Sequence, residues 1–203
     1  MIKLTNTSVM NFENSIRGLR NPLNSWGKSD SYVGDSGRFI IGENDLALAK
    51  RLVAAGSDHR KFLRQILVSV DVTAPFYWWK EFDTYKVGTV ANSCSTMHTV
   101  HKKEFTLDDF SAEHLSELSL GSLAETIKVM NIYREDFLAT SNKESWWQMI
   151  QLLPTSYNQL RTVTLNYEVL RNIYHSRKAH KLDEWRTFCD WIKSLPYSEL
   201  IYE

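Results

Sequence analysis

The sequence predicts an α+β protein with helix in excess, and three observations carry that prediction. "QILVSVDVTAP" (residues 65–75) is rich in β-branched residues and closed by Pro75, the pattern of a strand. From Thr106 onward the chain reads as helix. Residues 1–42 read instead as irregular chain with short strands, because "RNPLNSWGKSDSYVGDSG" is dense in turn-forming Asn, Ser, Gly and Asp. A small sheet packed with a predominantly helical C-terminal half follows.

In chain order, "ENDLALAKRLVAAG" is a helix, with Asn44 or Asp45 placed to cap it and Gly56 to end it. After the strand, "FYWWKEFDTYK" continues as helix, and "VGTVANSCSTMH" is a loop of small residues. Helices are expected over 106–118, 121–139 and 142–152, then a long one from about 155 to 180 and a last one near 182–194, with Pro154 and Pro196 as punctuation. There is no internal repeat, heptad run or low-complexity tail. The 203 residues are therefore expected to form one domain, 1–203.

Lys plus Arg and Asp plus Glu number 24 each, so the formal net charge is zero. That balance speaks against a protein whose main task is coating nucleic acid or an anionic membrane. Cys94 and Cys189 stand far apart in no metal-ligand spacing, which argues against a disulfide framework or zinc site and for a reducing setting. The start, "MIKLTNTSVMNF", lacks the apolar core of a signal peptide, and no run approaches the roughly 20 apolar residues of a membrane helix. A cytoplasmic protein is the expectation.

"TLNYEVLRNIYHSRKAHKLDEW" (164–185) poses the chemical question. Read as one helix, it puts Val169, Leu170 and Ile173 on one face, and Asn166, Arg177, His180 and Glu184 fall on that same face. A buried charge needs a partner or a ligand. Either an internal ion pair holds two helical segments together, or the face lines a pocket for a planar anion that the rigid donor fork of Arg177 would match. His59, beside a helix end, is either a capping or surface residue or part of a site. The 87–98 loop offers Gly88, hydroxyls and backbone amides, but neither the P-loop nor the Gly-x-Gly-x-x-Gly pattern. "WWKEFDTYK" and "ESWWQM" read as core or subunit contact ahead of stacking platforms. No Ser-His-Asp order, HExxH or CxxC motif supports the common hydrolases or metalloenzymes.

From about Gly56 to Trp185, with a weaker echo in the first 40 residues, these segments resemble the flavin-dependent thymidylate synthases. In that family an Ala-Pro ends a strand and a helix then delivers R-H-R-x-x-S-x-N-x-x-S-x-R, the layout of "VSVDVTAPFYWWKEFDTYKVGTVANSCSTMH" here. The family's Leu-Pro, Thr-x-Asn, second Asn and Leu-Arg are matched without a gap from Pro154 to Arg177 in "LLPTSYNQLRTVTLNYEVLRNIYHSR". The resemblance implies flavin contacts at His59, Asn166 and Asn172, with Tyr85 and Lys86 in cofactor-binding slots. It implies Arg177 as the catalytic arginine that holds the uracil of dUMP, and Glu81, Asn92 and Ser95 as further nucleotide contacts. It implies FAD as cofactor, methylenetetrahydrofolate and NADPH as co-substrates, and a homotetramer whose sites form between subunits.

The signature itself departs from the family. Its R-H-R slots hold Thr84, Tyr85 and Lys86, its last arginine falls at Met97 or Thr96, and the arginine expected before Leu-Pro is missing from "WWQMIQLLP". Each lost charge-assisted contact is worth about 1.5–3 kcal/mol; Lys86, His98, Lys102 and Lys103 are the residues available to compensate. Two functions of different class therefore stand side by side: a diverged synthase methylating dUMP, and a catalytically inactive flavin- or nucleotide-binding homologue with a regulatory or structural role. A changed substrate, read by Glu81 and Tyr85, and a helical interaction protein with a purely structural Arg177 cluster are the further alternatives.

Overall fold

The computed structural model describes residues 1–203. Its elements are β1 (Lys3–Met10), α1 (Phe12–Leu19), β2 (Tyr32–Val33), β3 (Phe39–Ile40), α2 (Glu43–Ala54), β4 (Leu67–Pro75) and α3 (Phe76–Phe82). They continue with β5 (Val90–Ser93), α4 (Thr96–Thr99), α5 (Glu117–Thr140), α6 (Lys143–Leu152), β6 (Asn158–Asn166), α7 (Tyr167–Arg177), α8 (Asp183–Lys193) and α9 (Glu199–Tyr202). The class is the expected α+β, with a small antiparallel sheet in the order β1-β4-β6-β5 and a separate two-stranded ribbon, β2-β3. No helix is long and apolar enough to cross a membrane.

The chain forms two compact units. The first comprises 1–3, 71–84 and 91–162; the second comprises 4–70, 85–90 and 163–203. In the first, Phe105, Phe110, Leu123, Ile127, Met130 and Met149 form the core under Tyr157 and Trp146. Trp78, Trp79 and Phe82 pack ring on ring on α3, so the aromatic residues that open "WWKEFDTYK" are core, as expected. In the second, α7 packs against α8, α9 and the 3-10 turn at Lys61–Gln65. Leu63, Leu170, Ile173, Trp185 and Phe188 are fully buried there. Tyr167 packs edge-on to Phe12 and donates its hydroxyl to the Pro196 carbonyl at 2.5 Å.

β4 follows its sequence: Val68, Val70, Val72 and Ala74 alternate inward, while Ser69 and Asp71 meet Thr164 and Thr162 of β6 through hydrogen bonds of 2.7 and 2.6 Å. The helix expected at 43–56 runs from Glu43 to Ala54, and Gly56 follows it with a positive φ of 110°. Its cap is not Asn44 or Asp45. Gly42 occupies that position, and the Asp30 carboxylate reaches over from the preceding loop to accept the N–H groups of Asn44 (2.8 Å) and Asp45 (3.0 Å). Asp45 is instead fully buried against Arg20, whose Nε donates to it at 2.5 Å. Ser29 and Ser31 donate to its other oxygen.

Three more expectations are corrected. The 106–118 helix shrinks to a 3-10 turn at Leu107–Asp109, closed by a reciprocal Thr106–Asp109 capping box, because Phe110 and Ser111 pair with the backbone of Tyr157 and Ser156. The small-residue loop contains strand β5. The long helix at 155–180 is a strand followed by a helix: "NQLRTVTLN" buries Gln159, Val163 and Leu165 at a period of two, and its β-branched Thr and Val residues favour that state. Helix begins only at Tyr167.

Candidate functional site

The strand-to-helix switch at Asn166 answers the question of the polar face. Asn166 is no interior helical residue; it is the N-cap of α7, and its side-chain oxygen accepts the Val169 N–H at 3.0 Å. Nor does α7 continue to Glu184. It ends at Arg177, and α8 begins at Asp183 after a turn in which His180 Nδ1 accepts the Leu182 N–H at 3.2 Å. Glu184 is buried on the first turn of α8, where a carboxylate suits the positive end of the helix.

Arg177 ends α7 in an aromatic clamp. Its guanidinium lies 4.8 Å from the Trp185 ring and 5.7 Å from the Tyr85 ring, and its Nε donates to the Tyr85 hydroxyl at 2.9 Å. Tyr85 and His180 both stand edge-on to Trp185. Trp185 is completely buried, so it gives the guanidinium a rigid face to stack on. The 85–90 segment that supplies Tyr85 also reaches the start of α7. There Gly88 has φ 78°, and a Cβ on it would stand 3.0 Å from Asn166 Nδ2 and 3.3 Å from Val169 Cγ2. Gly88→Ala would meet both left-handed backbone strain and that crowding, and is expected to cost about 1–2 kcal/mol in a urea titration.

His59 is exposed, but its neighbour is fixed: Arg60 Nε donates to both oxygens of Glu168, on the first turn of α7, at 3.1 and 3.0 Å. The Tyr167 N–H donates to the Ile66 carbonyl at 3.1 Å. These bonds hold the 59–66 segment to the end of α7 that carries Asn166. Asn172 and Lys86 are exposed. Further along α7, Arg171 is pushed below its usual range by burial and by Arg60, and His175 by burial and by the cations Arg171 and Lys178.

Of the residues singled out in the sequence, His59, Tyr85, Lys86, Asn166, Asn172 and Arg177 belong to the second unit; Asn166 caps α7, Asn172 and Arg177 lie on it, and Tyr85 bonds to Arg177 at its end. Glu81, Asn92 and Ser95 belong to the first unit. Glu81 is half-buried on α3, and Asn92 is exposed on β5. Ser95 caps α4 by accepting the His98 N–H at 3.2 Å. Lys103 is engaged by Asp109 at 2.8 Å. Sequence reasoning missed three parts of the second-unit site: Trp185, Arg60 and Glu168. Trp185 and Arg60 lie across breaks in the chain, where no helical period connects them to Arg177; Glu168 is on α7 with Arg177, but its partner Arg60 is not.

No protein-family model matches the sequence, and no curated protein does. Solved structures do. Thymidylate synthase X (ThyX) from Helicobacter pylori, crystallised with FAD and dUMP, superposes with a TM-score of 0.71 at 14% identity, covering 100% of this chain and 98% of that one. A second crystal structure, of flavin-dependent thymidylate synthase ThyX from the same organism complexed with FAD and dUMP, gives 0.70 at 15% identity, covering 98% of each chain. The fold of this chain, over its whole length, is thus that of the flavin-dependent thymidylate synthases.

Proposed function

We propose that residues 1–203 act as one flavin-dependent thymidylate synthase-like domain, a diverged cytoplasmic flavoprotein that binds FAD and dUMP and methylates dUMP to dTMP. One observation carries the reading: in a full-length synthase fold, Asn166, Asn172 and Arg177 lie on a single helix, with Arg177 held at its end by Tyr85 and Trp185. The donor set fits a flavin. His59, Lys86 and Asn172 are exposed polar groups suited to the carbonyl and ring-nitrogen acceptors of an isoalloxazine, and the Asn166 amide nitrogen remains a donor while its oxygen caps the helix. When bound, reduced flavin supplies the hydride, drawn from NADPH, while methylenetetrahydrofolate supplies the carbon.

The protein's own part is to bind and polarise. Arg177 directs a charge-assisted donor fork at a uracil carbonyl and stabilises the negative charge that develops there, with Trp185 fixing the guanidinium plane. Glu81, Asn92 and Ser95 complete the nucleotide contacts, in a homotetramer whose sites form between subunits.

A second reading, a catalytically inactive flavin- or nucleotide-binding homologue with a regulatory or structural role, is favoured by a specific observation. Where the family signature has R-H-R, this chain has Thr84, Tyr85 and Lys86, and the Tyr85 hydroxyl takes up the Nε of Arg177. The deciding measurement is the visible spectrum of the purified protein before and after loading with FAD and removing the excess, followed by dUMP titration and turnover. A retained flavin band with turnover is the expected result. A band without turnover leaves the inactive binder, and no band at any FAD concentration overturns both flavin readings.

A further inference from the structure

A cavity of about 530 Å³ lies on the α2 side of the second unit, and its wall contains Arg20, Lys28 and Arg51 but no carboxylate. Arg20 decides its chemistry. The residue is only 4% exposed, yet its guanidinium is only partly bonded. Nε is taken by Asp45 at 2.5 Å, and one terminal nitrogen makes two long contacts, at 3.3 and 3.4 Å, with the Ser25 carbonyl and hydroxyl. The other terminal nitrogen makes no hydrogen bond. That nitrogen is not enclosed by the protein but opens onto the cavity, so a largely buried guanidinium has a donor there that can take an acceptor from outside.

The neighbouring acids are not available to fill that role. Asp45 is fully buried, and its oxygens are occupied by Arg20, Ser29 and Ser31. Asp30 spends its carboxylate on the first amides of α2. Asp45 thus offsets one of the three cations, while Lys28 and Arg51 have no carboxylate partner and leave two positive charges facing the cavity. Ser25 and Asn44 add polar groups, and Leu23, Ala47 and Leu48 give the wall an apolar stretch beside the charged one.

We propose that this cavity binds a small phosphomonoester, its phosphate on the terminal nitrogens of Arg20 between Lys28 and Arg51 and its organic part against Leu23 and Leu48. A guanidinium fork matches phosphate oxygens in pairs, and two flanking cations suit a dianion. The residues are separate from those assigned to the flavin and dUMP, so the site stands or falls independently of that function.

The test is isothermal titration of the full-length protein at low ionic strength with phenyl phosphate, inorganic phosphate and phenol. Lys28→Glu and Arg51→Glu, both at exposed side chains, are made singly and together, with Arg177→Ala as a control that leaves this cavity intact. Phenyl phosphate is expected to bind more tightly than inorganic phosphate, and phenol not to bind. Each charge reversal should weaken phenyl phosphate binding about tenfold or more, and Arg177→Ala should not change it. Binding of inorganic phosphate equal to that of phenyl phosphate would overturn the monoester assignment. No phosphate binding, or binding untouched by the double reversal, would overturn the site.

Discussion

Asp45→Asn is expected to lower the free energy of unfolding by about 3–5 kcal/mol, because it removes the countercharge of a buried arginine without removing the arginine. Arg20 and Asp45 are both almost wholly excluded from solvent, and the pair ties α1 to α2. The substituted amide would keep an oxygen for Ser29 and Ser31, so the loss isolates the uncompensated guanidinium. Chemical denaturation gives the midpoint, and the same experiment against pH gives an independent check. Burial by itself would raise the Asp45 carboxyl, but the hydroxyls of Ser29 and Ser31 and the Arg20 charge outweigh it and hold the group below its ordinary 3.8. A carboxyl lowered on folding contributes stability that is present above the unfolded-chain value and is lost as pH falls through the folded one. Wild-type protein should therefore lose this contribution below about pH 4, and Asp45→Asn should lack that part of the acid limb. A loss under about 1 kcal/mol would mean that the pair is not the anchor described here.

Arg177→Ala is expected to separate binding from stability. Its stacking on Trp185 and its bond to Tyr85 are worth together about 1–3 kcal/mol to the fold, since the side chain is only half-buried. Its effect on dUMP should be far larger, about 100-fold or more in affinity or turnover if the guanidinium polarises the uracil. Arg177→Lys should recover stability more than function, because an ammonium keeps the charge but not the planar fork. Denaturation and dUMP titration of the same samples decide the matter. A variant that loses much stability and no binding would make the cluster a structural clamp.

How much of this was legible in the sequence depended on where a single period governs a segment. β4, α2, α3, α6 and α8 each carry their own pattern and lie where the sequence puts them, within a few residues. β6 and α7 do not. Val163, Leu165, Val169, Leu170 and Ile173 suit a helical stripe if read together, yet the first two belong to a period of two and the others to a period of 3.6. The Arg177 site suffered from the same error. Its polar residues were collected onto one imagined helix, whereas the fold assembles them from the cap of α7, its last turn, the start of α8 and the 85–90 segment. Arg177 and Asn166 stand out as polar residues on an apolar face, and Tyr85 through the family resemblance. Trp185 does not, because a stacking partner on another helix leaves no periodic trace in one chain.

The cap at Asn166 also fixes the polarity of what can meet that residue. The Val169 N–H turns the amide oxygen of this buried residue into the helix, so its NH2 end faces the 85–90 segment at Gly88. Asparagine, which elsewhere recognises donors and acceptors alike, becomes at this position a one-way reader of lone pairs. On the flavin reading proposed above, a ligand edge presenting a carbonyl or an unprotonated ring nitrogen would suit that NH2 group, and an edge presenting N–H would not. Helix geometry would then act as a filter on the tautomer and protonation state of a flavin or nucleotide held there.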